Sequence, residues 1–265
     1  MQHIQGEFFA AYAVVGLVIL AGMVILWAAS LTLRNASIID IFWGVGFVAA
    51  AWVYFALTPT GFSGRKILVC ALVSLWGLRL SFYILWRNWG KPEDFRYHKW
   101  RDDAGKKWWW LSFFQVFLLQ GVLLWVISAP LLAAQSAAAP AYFTGLDCLA
   151  ALVWLAGFFF EAAGDWQMAR FKAYPANRGK VLSAGLWRYT RHPNYFGDAV
   201  QWWAFFTLAA AAGAYWTVFS PLLMTILLLR VSGVSLLEQT LKETRPGYKE
   251  YIEATSGFIP WRPKK

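Results

Sequence analysis

The sequence predicts an all-α polytopic membrane protein with seven transmembrane helices, its N-terminus outside and its C-terminus cytoplasmic. Three observations predict it. Hydrophobic residues make up 59% of the 265-residue chain and charged residues 14%, against about 25% charged in soluble domains. Apolar runs near the roughly 20 residues needed to cross a bilayer recur along the chain. Twenty of the 24 Lys and Arg residues fall on one side of those runs, as expected when cytoplasmic loops retain basic charge.

The first run, Phe8–Ala29, is preceded by Glu7 and by no Lys or Arg. It therefore reads as a retained helix rather than a cleaved signal peptide. The second, Ile38–Leu57, opens with Asp40-Ile-Phe-Trp43. The third, Lys66–Trp86, carries Arg79 at mid-span and Tyr83 one turn later on the same face. A basic loop then holds Arg87, Lys91, Arg96, Lys99, Arg101, Lys106 and Lys107 before the fourth span, Trp110–Ala133. The Ala-rich stretch Ala133–Ala141 reads as a short outer loop.

The fifth span, Leu146–Asp165, ends with Glu161 and Asp165 four residues apart on one helix face. The loop from Arg170 to Arg191 adds six cations. The sixth run, Tyr195–Ala212, is short and polar at its start, so it is tilted or buried among neighbours. The seventh, Trp216–Leu237, leads to a basic tail. An even count would put that tail beside the nearly uncharged N-terminus, so the basic residues favour seven.

Composition excludes several classes. A net charge of +10 reports topology here, so no nucleic-acid partner is expected. Eighteen Trp residues suit interfacial belts. Cys70 and Cys148 cannot build a disulfide framework or a Cys-based zinc site. With His3 and His98 near flexible regions, no histidine metal site is expected either. Gly-x-Gly-x-x-Gly after a strand is absent, which argues against a Rossmann domain.

Charged groups inside a membrane cost several kcal/mol unless paired or bound to something. Asp40, Glu161, Asp165, Asp198 and Glu238 all lie in or at the cytoplasmic ends of spans. They either pair with Arg to fix helix packing or form a site. The densest cluster is Arg188-Tyr-Thr-Arg-His-Pro-Asn-Tyr-Phe-Gly-Asp198. Pro193 suits the first turn of a helix, whose N-terminus attracts anions. Asn177-Arg178-Gly179-Lys180 sets cations around a Gly that permits close backbone approach. Arginine forks, an Asn and a helix N-terminus together can cradle a pyrophosphate and a 2′-phosphate. His192 reads as a hydrogen-bonding cofactor contact.

This cluster resembles the signature of the steroid 5-alpha-reductase C-terminal domain family, including its bacterial DUF1295-type membrane proteins. More distantly it is similar to the isoprenylcysteine carboxyl methyltransferases, which share the Arg-His-Pro core. The resemblance runs from Trp154 to Trp261, through Glu161-x-x-x-Asp165, Lys172, Asn177-Arg178-Gly179-Lys180, Gly185 to Asp198, Trp202, and Arg245-Pro-Gly-Tyr-Lys-Glu-Tyr251 to Phe258-Ile-Pro260. It implies an NADPH-using reductase of the bacterial inner membrane, with its cofactor site facing the cytoplasm. Asp165, Lys172, Arg178, Arg191, Asn194 and Asp198 would contact NADPH, with Glu238 and Tyr251 as looser matches. The methyltransferase alternative implies S-adenosylmethionine.

The resemblance also implies an organisation. Residues 1–145 would form a four-helix, substrate-side half and residues 146–265 the cofactor half, within one integrated membrane domain. The substrate would be a lipophilic small molecule, and membrane lipid the other partner. Steroid reductases place a Gln-Glu pair in the second span and a Tyr in the third. Here the second span offers Asp40, and Trp76 stands where that Tyr would be. Asp40, Arg79 and Tyr83 are therefore the catalytic candidates of the first half.

Overall fold

The computed structural model describes residues 2–231, 238 and 241–264, and all secondary structure among them is helical. We number the helices α1 (Gln2–Leu33), α2 (Ile38–Leu57), α3 (Ser63–Asn88), α4 (Phe95–Ser136), α5 (Gly145–Ala173), α6 (Pro193–Ala211), α7 (Tyr215–Arg230) and α8 (Tyr248–Ala254). The chain divides into two compact units. Unit 1 comprises Met1–Thr144 and Leu208–Thr217, and unit 2 comprises Gly145–Thr207 and Val218–Lys265.

Five helices, α1 to α5, are long and apolar enough to cross a bilayer, where seven spans are expected from the sequence. The sixth candidate, α6, carries Asn194, Asp198 and Gln201 along its length, which lowers its apolarity. The seventh, α7, is a shorter apolar helix, and the expected end at Leu237 lies outside the described residues. The coarser expectation stands: this is an all-helical, polytopic membrane protein.

The fourth span also differs. Rather than a loop followed by a helix from Trp110, one helical run begins at Phe95. The Asp94 side chain caps it, accepting from the Arg96 N–H at 3.0 Å. Such a cap satisfies an otherwise orphan donor of the first turn. A π-helical turn at Phe113–Leu118 and a turn at Ser128 interrupt its regularity.

Within unit 1, α2 and α3 approach closely through glycines. A Cβ on Gly77 would lie 2.6 Å from the Gly44 carbonyl oxygen. Small residues let helix backbones approach in this way in lipid. The α1–α4 contact is reciprocal. Tyr12 donates to the Trp125 carbonyl at 3.1 Å, and the Trp125 indole donates to the Tyr12 carbonyl at 2.9 Å. Trp76 is fully buried against Phe47, with ring centroids 5.7 Å apart.

Candidate functional site

In unit 2, α5 and α6 form a seam of polar and small residues. The buried stripe on α5 is Asp147, Ala150, Trp154, Gly157, Glu161, Gly164 and Asp165, a spacing that keeps one helix face inward. A Cβ on Gly157 would lie 2.7 Å from the Gly197 carbonyl, and one on Gly164 would lie 3.2 Å from the Asn194 nitrogen. The missing side chains let polar groups pair across the seam. Asn194 Nδ2 donates to Asp165 at 3.1 Å. Gln201 Nε2 donates to Glu161 at 2.6 Å and to the Gly197 carbonyl at 3.3 Å. Glu161 is 3% exposed and Gln201 fully buried. Asp198 is buried one turn beyond Asn194.

The Asn194 side chain is thus fixed by its amide nitrogen. Its Oδ1 is buried and has no hydrogen-bond partner among the described residues. A buried polar atom left in this state costs free energy unless a ligand or water completes it.

The loop before α6 is held on α5. Leu186 N–H donates to Gln167 Oε1 at 2.9 Å, and the Trp187 indole donates to the Gly164 carbonyl at 3.1 Å. The C-terminal segment straps onto the same loop. Arg191 N–H donates to Ser256, Thr190 Oγ1 to Phe258, and Trp261 N–H to Tyr189, all at backbone carbonyls and between 2.7 and 2.9 Å. Tyr251 donates its hydroxyl to the Trp187 carbonyl, and burial pushes that hydroxyl's pKa up, so it remains a donor.

Arg191 is committed to this strap. Its Nε lies 2.7 Å from Glu238 Oε1, and its Nη1 donates to the carbonyls of Ile252 at 3.1 Å and Thr255 at 2.5 Å. His192 Nε2 lies 3.2 Å from the same Glu238 oxygen, and its ring stacks on Tyr195. Burial alone would raise the Glu238 pKa. The hydrogen bonds from His192 and Arg191 outweigh it and hold the carboxyl at about 2, below its ordinary 4.5.

The end of α5 and the loop that follows it carry an exposed cationic rim of Arg170, Lys172, Arg178, Lys180 and Arg188. Arg178 and Lys180 flank a turn closed by Lys180 N–H to Asn177 O at 3.0 Å, with Gly179 at φ +85°. That positive φ is the reason for glycine there. Arg245 belongs to the rim as well, because a Cβ on Gly179 would lie 3.9 Å from its Nη1. No group of His, Cys, Asp and Glu suited to a metal ion gathers among the described residues.

The structure thus brings Asp165 to Asn194, and Arg191 and His192 to Glu238, while Lys172 and Arg178 stand on the rim. Sequence reasoning missed Gln201 and Gln167. The available signal for Gln201 was its position one turn past Asp198, on the face shared with Gly197.

In unit 1, Asp40 accepts from the Tyr97 hydroxyl at 2.7 Å and pairs with Arg96 at 3.2 Å. Tyr97 in turn accepts from Gln120 at 3.2 Å. Arg96 also pairs with Asp94 at 2.9 Å. Burial acts to raise the Asp94 pKa, but the hydrogen bonds from Arg96 hold it below its ordinary value. Tyr83 packs on Trp86, with the Arg87 guanidinium 5.7 Å above its ring. The hydrogen bonds of Asp40 thus come from Arg96 and Tyr97, both at the start of α4.

Comparison with known proteins places these features in a family. No solved structure matches the chain. An uncharacterized protein of Schizosaccharomyces pombe is 26% identical over 267 residues, covering 89% of this chain and 76% of the relative. The family described as protein of unknown function DUF1295 matches residues 26–255, nearly the whole helical chain. The protein belongs to the DUF1295 family, which is steroid 5-alpha-reductase-like.

Proposed function

We propose that this protein is a membrane reductase that takes NADPH from the cytoplasm and reduces an activated C=C bond of a lipophilic substrate. The observation that carries the reading is Asn194, whose Oδ1 is buried and without a hydrogen-bond partner among the described residues while its Nδ2 is fixed on Asp165. An acceptor held this way suits a carboxamide or sugar hydroxyl donor. The donor set fits a dinucleotide. Arg178, Lys180 and Lys172 on the rim suit phosphates, with Asp165, Asn194 and Asp198 behind them. Asp198 would hold the position one helical turn deeper than Asn194.

NADPH supplies a hydride when bound. The residues of the chain orient it and exclude water. Arg191, His192, Glu238 and Tyr251 act indirectly, by holding the strap on the Trp187–Asn194 loop. Electrophilic help at the substrate's carbonyl stabilises charge developing in the transition state. A proton donor at the adjacent carbon completes the reduction. Asp40, Arg79 and Tyr83 are proposed for those two tasks, Tyr83 as the donor.

The basic residues support seven spans with the N-terminus outside and the rim cytoplasmic. Titration of detergent-solubilised protein with NADPH, NADH and S-adenosylmethionine, at fixed salt, tests the reading. NADPH should bind most tightly. Preferential binding of S-adenosylmethionine would favour methyl transfer instead, since that cofactor has no phosphate for the rim to recognise.

A further inference from the structure

The strap that closes over the motif loop also builds a groove. Phe160 of α5, Tyr189 of the loop, and Pro260, Trp261 and Arg262 of the strap line an open cavity of about 590 Å³. That volume falls in the range of small-molecule sites. Four of its five walls are apolar or aromatic. Behind it, Phe196 packs edge-on against both Phe160, at 5.1 Å, and Phe258, at 5.9 Å. The aromatic backing and the Trp261–Tyr189 hydrogen bond fix its shape.

We propose that this groove seats one acyl chain of an anionic glycerophospholipid from the surrounding bilayer, with Arg262 on its phosphate. Two observations select that occupant. The first is continuity with the lipid-facing surface. Phe160 adjoins Phe159, which is exposed along with Leu152 and Leu155 on the flank of α5. Counted from Gly145, Phe160 lies about 22 Å along the helix, inside an apolar thickness of about 30 Å. Trp261 is 74% exposed and Ile259 65% exposed, as interfacial anchors are. The second is charge. Arg262 is exposed at the rim, and no carboxylate pairs with it among the described residues. One such cation near an anionic headgroup is worth about fivefold in affinity. A lipid held there would brace the strap from the membrane side.

The test places the full chain in nanodiscs containing phosphatidylglycerol or phosphatidylcholine with a photoactivatable diazirine on one acyl chain. Cross-linked peptides are then mapped. Phosphatidylglycerol should label the Phe258–Arg262 peptide about fivefold more than phosphatidylcholine. Labelling at Leu152 and Leu155 should not distinguish the two lipids. Arg262→Gln should abolish the preference, and Trp261→Ala should reduce groove labelling by both lipids. Unchanged thermal stability would show that these exposed substitutions leave the fold intact. Equal labelling of groove and open flank, or no headgroup preference, would overturn the proposal. So would displacement of the lipid by NADPH, which would assign the groove to the nucleotide. The labelling does not depend on nucleotide binding, so it stands or falls apart from the reductase reading.

Discussion

Arg191 and Glu238 meet at 2.7 Å, and the remaining contacts of the arginine cap the end of α8. The arginine of the Arg-His-Pro core is therefore a keystone of the C-terminal strap. Its contacts hold the loop that carries Asn194. Arg191→Lys keeps the charge but loses the planar fork. We expect faster proteolysis of the residues after Thr255 and a roughly tenfold loss of nucleotide affinity. Unchanged cleavage would remove the keystone role, whatever the protein binds.

The strap should loosen in acid. The Glu238 pKa is lowered from 4.5 to about 2. Its contribution to stability is complete above pH 4.5 and is lost as pH falls towards 2. Tail proteolysis by an acid-active protease, followed between pH 5.5 and 2.5, should accelerate through that window. Glu238→Gln should start with a looser tail and show a flatter profile there.

Nucleotide affinity should follow the seam and the rim separately. Asn194→Ala and Asp198→Ala should each weaken NADPH binding by about tenfold, near 1.4 kcal/mol, with the protein still folded in detergent. Arg178→Gln and Lys180→Gln should weaken NADPH more than NADH and flatten the salt dependence. Normal binding by both seam variants would show that the Asp165–Asn194 contact is structural.

Helix approach at Gly157 and Gly197 leaves no room for a methyl group. A Cβ on Gly197 would meet the Glu161 nitrogen and the Gly157 carbonyl, both backbone atoms that cannot swing away. Gly197→Ala should destabilise by about 1–3 kcal/mol, read as a lower melting temperature. Gly22→Ala, where nothing lies within 4 Å, should be nearly neutral.

Asp40 distinguishes a catalytic role from a structural one. Tyr97 and Arg96 both depend on it. Asp40→Ala should lower stability, and Tyr97→Phe should lower it by about 1 kcal/mol. Asp40→Asn keeps an acceptor for Tyr97 and removes the charge. On the catalytic reading it retains stability and nucleotide affinity but loses turnover. Full turnover would leave Tyr83 as the candidate.

Much of the architecture was legible locally. α2 runs from Ile38 to Leu57 in the structure, as its apolar run predicts. α3, α5 and α6 depart from expectation mainly at their ends, where helices continue past the apolar run into polar sequence. The start of α4 was not legible, because Arg96 and Tyr97 of its first turn are held by Asp40 of another helix. The site's membership was partly legible: the motif located Asp165, Arg191, Asn194 and Asp198, while Gln201 went unread among apolar neighbours.

Sequence by itself determined the class of fold, since lipid leaves a spanning backbone no hydrogen-bonding partner but its own helix. It also placed the polar residues that a membrane chain retains only for pairing or function. Tertiary structure alone decided who pairs with whom. Asp40 takes Arg96 from 56 residues away, Gln201 finds Glu161 across 40, and Arg191 reaches Thr255 across 64. Helical periodicity fixes which face a side chain occupies, but its partner depends on which helices the glycines allow to touch.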